Sequence, residues 1–153
     1  MFAVLTCIFV QHDLRLVAIA AVICVVASST AFAFHGRAVR ASGGLRWAWL
    51  GLTGLVAGSG VWATHFMAML AYQPSLQIGY ELSLTAASLL AAVAGMGSGF
   101  ALAAQPGRDK ALVGGALTGC SVAAMHYMGI AAIRTQAHLI WDPRYVAASI
   151  LIG

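Results

Sequence analysis

Two histidines in this sequence sit in matching company. His65 is followed by Met67 and Met69 in "WATHFMAML", and His126 lies between Met125 and Met128 in "AAMHYMGIAA". Imidazole with thioether is a donor set that suits copper, and methionine sulfur favours the softer Cu(I). Met69 is four residues beyond His65, one turn on and on the same helix face. Adjacent residues of one helix cannot wrap a metal, so such a site needs ligands from at least two helices. Tyr127 could hold an imidazole's free N–H, a supporting contact that fixes ring orientation. Asp13, beside His12, or Glu81 could serve in the same way. Trp62, three residues before His65, could line the same cavity. The plain alternative is a histidine that hydrogen-bonds a neighbouring helix, with methionines that only pack.

The two motifs belong to a repeat. An offset of 61 superposes residues 51–72 on 111–132, pairing Gly54 with Gly115, Gly58 with Gly119, His65 with His126 and Met67 with Met128. The same offset carries Tyr80-Glu81 onto Trp141-Asp142, an aromatic and an acid opening the next helix in each copy. Repeat units are therefore expected over 51–104 and 111–153. The N-terminal segment, with His12-Asp13 and then an apolar run, reads as the tail of a third, incomplete copy, His12 standing where the others have an aromatic. A histidine repeated with methionine in duplicated units favours the ligand reading.

The elements that must carry these residues are legible from composition. Of 153 residues, 61% are hydrophobic and 8% charged, against about a quarter charged in an ordinary soluble domain. Four long apolar runs, roughly 14–34, 46–70, 82–104 and 111–133, each exceed the ~20 residues a helix needs to cross a hydrocarbon core about 30 Å thick. A last run begins at Tyr145, and its nine residues would rise only about 14 Å as a helix. The expected fold is an all-α membrane protein, a polytopic bundle of about five transmembrane helices with the fifth truncated. Although "AFA" at 31–33 resembles a cleavage site, no basic segment precedes the first run and arginines follow it, so a retained helix is expected. Polar groups within such helices are costly and usually functional.

Orientation follows from the basic residues. Arg37, Arg40, Arg46, Arg108 and Lys110 fall in the 35–46 and 105–110 breaks, whereas Arg15, Arg134 and Arg144 fall on the opposite side. Five against three makes the first side cytoplasmic and puts the N-terminus outside. His65, His126 and His12 then share one depth near the outer face, while His35 and His138 lie in the breaks. The net charge of +4 reports topology and gives no reason to expect nucleic acid, because no basic cluster lies beside an aromatic platform. Cys7, Cys24 and Cys120 form no CxxC pair. Packing is expected of the two in helices, and Cys7 could act as a soft ligand. Gly54–Gly58, Gly95–Gly99 and Gly115–Gly119 are GxxxG pairs, which let two backbones approach closely within the bundle or in a homodimer. An enzyme is not expected, since no nucleophile–base pair or paired carboxylates stand out.

"WATHFMAML" and "AMHYMGIAA", each followed by an acid-opened helix, resemble the MHYT domain, a bacterial membrane sensor module. "HDLRLVAIAAVICVVAS" is similar to that family's N-terminal start. The resemblance runs from Gln11 to the end, 11–153, and implies further helices beyond it. It also implies copper held by Met and His near the outer face, sensing of a diatomic gas (oxygen, carbon monoxide or nitric oxide), and coupling to cytoplasmic PAS, GGDEF and EAL domains that make or break cyclic di-GMP. By that resemblance His65 and His126 are ligands, Met125 a motif methionine and His12 the N-terminal counterpart. The first copy departs from the motif, with Thr64 for its Met and Phe66 for its Tyr. In the second, Met128 replaces its Thr. The expected function is an integral sensory domain of the bacterial inner membrane, with lipid and an output domain as partners. The alternatives are a fragment of a transporter, where repeats with buried histidine also occur, or a structural membrane subunit.

Overall fold

The structure, a computed structural model, describes residues 12–73, 78–135, 143 and 146–148. Four long helices dominate: α1 (Leu14–Arg40), α2 (Gly43–Ala71), α3 (Leu82–Ala103) and α4 (Arg108–Ala131). All four are long and apolar enough to cross a membrane. The shortest, α3, has 22 residues, about 33 Å at 1.5 Å per residue. Pro143 and residues 146–148 are helical; the rest of the expected fifth helix lies outside the described residues, as do Cys7 and His138.

The hairpin turns are short because the sequence supplies the backbone freedom they need. Ala41 and Ser42 alone join α1 to α2, and Gly43 takes a φ of 59°. Gly107, at φ 117°, opens α4. Arg37 and Arg40 close α1, where cations oppose the helix dipole. The α1 helix runs six residues past the apolar segment that announced it. Arg37 there stacks on the Trp49 ring, 5.0 Å from its centroid, and Arg46 donates to the Ala104 carbonyl at 2.8 Å. At the other end Asp13 caps α1, its carboxylate accepting from the Arg15 backbone N–H at 2.8 Å.

The two hairpins, α1–α2 and α3–α4, are latched at their open ends by the same backbone contact. Asp13 N–H donates to Ala71 O at 2.8 Å, and Glu81 N–H donates to Ala132 O at 2.8 Å. Beside the first bond His12 pairs with Tyr72 in an isolated antiparallel bridge. Beside the second, β1 (Gly79–Tyr80) pairs antiparallel with β2 (Ile133–Arg134), placing Tyr80 opposite Ile133. His12 thus occupies the structural place of Tyr80.

Helices pack through small residues, since in lipid the association comes from close contact rather than from expelling water. Ala31, Ala57 and Met96 form one buried cluster, and Ala38, Leu50 and Ala104 another. Large side chains such as Val22, Val25, Phe32, Leu82 and Leu90 point outward. The α2–α3 crossing is the tightest: a Cβ on Gly54 would lie 2.5 Å from Gly97 Cα, and one on Gly58 2.5 Å from Val93 Cα. Gly58→Ala is therefore expected to lower stability by about 1–3 kcal/mol in thermal unfolding in detergent, while Gly51→Ala, with open space around it, leaves it unchanged. Of the expected GxxxG pairs, Gly95 and Gly99 meet Ser121 and Thr118 of α4, but Gly115 and Gly119 have nothing within 4 Å among the described residues. Cys24 and Cys120 are both exposed.

Candidate functional site

The last turns of α2 and α4 bring the two motif histidines together. His65 Nδ1 and His126 Nδ1 are 3.3 Å apart, with ring centroids 4.9 Å apart and planes at 71°. Elsewhere α2 and α4 touch only briefly, so the imidazoles bridge two helices that belong to different hairpins. Equal atoms of equal residues meet here.

His65 is tightly enclosed. Its Nε2 is buried with no hydrogen-bond partner among the described residues, and a side chain on Gly129 would overlap that nitrogen. Phe66 packs edge-on to His65 at 5.1 Å, and it also touches Trp62 at 4.8 Å and Tyr80 at 5.7 Å. Two tautomers are open to the ring. With the proton on Nε2, an N–H would be buried unsatisfied, costing about 1–3 kcal/mol. With the proton on Nδ1, it lies between the rings and donates to His126 Nδ1, leaving Nε2 a bare lone pair. The second arrangement is the cheaper one.

The other candidates take distinct places. Met125 is buried, with 1% exposure; Met67, Met69 and Met128 are half-buried. The Tyr127 ring stands edge-on to His126 at 5.2 Å, and its hydroxyl donates to Val146 O at 3.3 Å. His12 packs on Tyr72 at 5.3 Å and is not brought into the pair. Asp13 caps α1, and Glu81 pairs with Arg134 and accepts from Ser83 Oγ. Trp62 turns away from the histidines, its Nε1 donating to Thr85 O at 3.2 Å and Ser88 Oγ at 3.1 Å. Burial pushes the Tyr80 phenol up, so it stays neutral. Gly129 is the member that sequence reading missed. Its one signal is its place three residues after His126, on the same helical face.

Among the described residues no three His, Cys, Asp or Glu side chains gather in one place. The other potential donors nearest the pair in sequence are the thioethers of Met125, Met128, Met67 and Met69. The spacing of the pair fits, and a metal on both Nδ1 atoms would place the His65 proton on the buried Nε2. Two nitrogens each roughly 2 Å from one metal at a tetrahedral angle are about 3.3 Å apart, and the two Nδ1 atoms have that spacing.

Four membrane-length helices in two latched hairpins, joined by a histidine pair at one end, define a polytopic helical membrane domain built by duplication. A profile described as "Bacterial signalling protein N terminal repeat", that of the MHYT family, matches residues 58–116 and 119–153. The chain belongs to the MHYT family. It is 49% identical over 153 residues to an uncharacterized signaling protein of Caulobacter vibrioides, covering 99% of this chain and 19% of that protein. It is 39% identical over 148 residues, 94% of this chain and 21% of the relative, to the bifunctional diguanylate cyclase/cyclic di-GMP phosphodiesterase MucR of Pseudomonas aeruginosa. It is also 41% identical over 109 residues, 70% of this chain and 14% of the relative, to the cyclic di-GMP phosphodiesterase NbdA of the same organism. The chain thus spans about a fifth of the first two relatives' length. No solved structure matches it. It is a multi-pass membrane signalling domain.

Proposed function

We propose that the chain is the sensory input of a bacterial inner-membrane signalling protein, with the histidine end on the outer side and the N-terminus outside. The observation that supports this most directly is the His65–His126 pair, two nitrogens at ligand spacing drawn from two hairpins. Copper is the metal this donor set suits, because the nearby donors are thioethers and imidazoles, with no thiolate and no free carboxylate in the pair. His65 and His126 would hold it, and Met125, next to His126 and buried, is the first choice for a sulfur ligand, ahead of Met128, Met67 and Met69. Bound copper would supply affinity for a diatomic gas such as oxygen, carbon monoxide or nitric oxide. The chain's own residues contribute the rest: Phe66 and Gly129 enclose His65, and Tyr127 ties the turn bearing His126 to Val146. A change in how the two imidazoles sit would move α2 against α4. Five basic residues at the opposite end favour that side as cytoplasmic, toward an output that makes or breaks cyclic di-GMP, as the names of two relatives suggest.

The test is metal content. Protein purified from copper-supplied membranes should carry copper, and His65→Ala with His126→Ala should reduce it to background, measured by elemental mass spectrometry. Copper-free wild-type protein, or unchanged copper in the double variant, would overturn the reading.

A further inference from the structure

A cavity of about 180 Å³ lies where all four helices meet, on the turn side of the histidine pair, and every residue of its wall is among the described ones. Its wall offers almost nothing to water. Thr64 Oγ1 donates to Gly60 O at 2.8 Å and Thr118 Oγ1 to Gly114 O at 3.0 Å, so both hydroxyl protons are committed to their own helices. Cys24 and Ser28 are exposed and stand at the rim. A buried water needs about two to four polar partners, whereas an apolar cavity of about 150 Å³ stays dry and admits benzene or xenon.

We propose that this cavity binds a small uncharged molecule without hydrogen-bonding groups, no larger than benzene, and that its filling is felt at the histidine pair. The connection is periodic. Ala57, Val61 and His65 follow one another at intervals of four on α2, and Thr118, Val122 and His126 do so on α4, the two series matching at the repeat offset of 61. Residues four apart share a helix face. Ala57, Val61 and Thr118 line the cavity, and Val61 and Val122 pack on the cluster of Ala31, Ala57 and Met96. One valine from each copy thus stands between the cavity and its histidine, which lies about 12 Å along the helix from Ala57 or Thr118. An occupant that presses on Val61 and Val122 shifts α2 against α4 where the two imidazoles meet. The size of the space sets the guest, since a whole acyl chain is far larger and the close approach of Gly60 to Ala27 shuts the α1–α2 side. The inference is independent of whether the histidines bind metal.

Xenon tests it, applied under pressure to metal-free protein in detergent with methyl-labelled methionine and nitrogen-labelled histidine. The Met96 methyl signal should shift along a curve that saturates, and the ring nitrogens of His65 and His126 should move with the same midpoint. Ala57→Leu, which fills the space from α2, should abolish both responses, and Ala31→Leu, which fills it from α1, should do the same. A Met96 shift that grows linearly, as for xenon dissolved in the micelle, or one that survives in the filled variants, would overturn the site. Histidine signals that stay still while Met96 saturates would overturn the coupling. Magnetisation passing from detergent chains to the Met96 methyl would show a chain end in the cavity and overturn the choice of guest.

Discussion

Gly129→Val is expected to be the most damaging single substitution at the histidine end, lowering stability by about 3 kcal/mol. The reason is positional. The imidazole of His65 lies against Gly129 so closely that even one added carbon would overlap Nε2. His65 cannot retreat easily, since Phe66 stands edge-on to it and is itself held by Trp62 and Tyr80. The ring must then swing away from His126, and the contact between Nδ1 atoms is lost with it. Ala68→Val is the matched control, the equivalent position in the first copy and exposed. Thermal unfolding in detergent reads the first effect. Nitrogen chemical shifts of labelled histidine read the second, and they should move toward those of separate imidazoles in Gly129→Val alone.

The histidine pair should behave as a unit under substitution. His65→Leu or His126→Leu alone is expected to cost about 1–2 kcal/mol, because each leaves one nitrogen facing an apolar neighbour. The double variant His65→Leu with His126→Leu should cost less than the sum by about 1 kcal/mol, within the range found for polar pairs between membrane helices. Unfolding of all four proteins in mixed micelles, without added metal, gives this coupling directly. Additive losses would mean that the two rings do not share a proton. The cycle concerns the metal-free pair and separates its structural worth from ligand binding.

How far the sequence foretells the fold can be followed residue by residue. The apolar runs at 46–70, 82–104 and 111–133 lie within a few residues of α2, α3 and α4, because a membrane span is announced by length alone. The run at 14–34 stops short of α1, which continues to Arg40. Polar residues near the interface end a hydropathy run without ending a helix, and arginine stems can lie along apolar surface. The depth of His65 and His126 was also legible, since it follows from topology. Their meeting was not. Rotation about a helix axis is read from one-sided apolarity, and helices apolar all round carry little of it. The same limit hid the difference between Gly54–Gly58, packed on α3, and Gly115–Gly119, which at identical spacing meet none of the described residues. Gly129 was unreadable as a cradle because it is one of 17 glycines in the chain.

The latched hairpins carry one more implication. Both run the same way across the membrane, so the operation relating them is a rotation about an axis along the membrane normal, as in other parallel membrane repeats. Under any such rotation, equivalent atoms approach each other only near the axis. Two Nδ1 atoms 3.3 Å apart lie within about 2 Å of it for a half-turn or a third of a turn. For a rotation of that size, His65 and His126 sit beside the axis relating the two hairpins. At that end each copy contributes the same atom, Nδ1 of its histidine, whereas Met125 of the second copy has Thr64 as its counterpart in the first, so the two halves are equal in imidazole and unequal in sulfur.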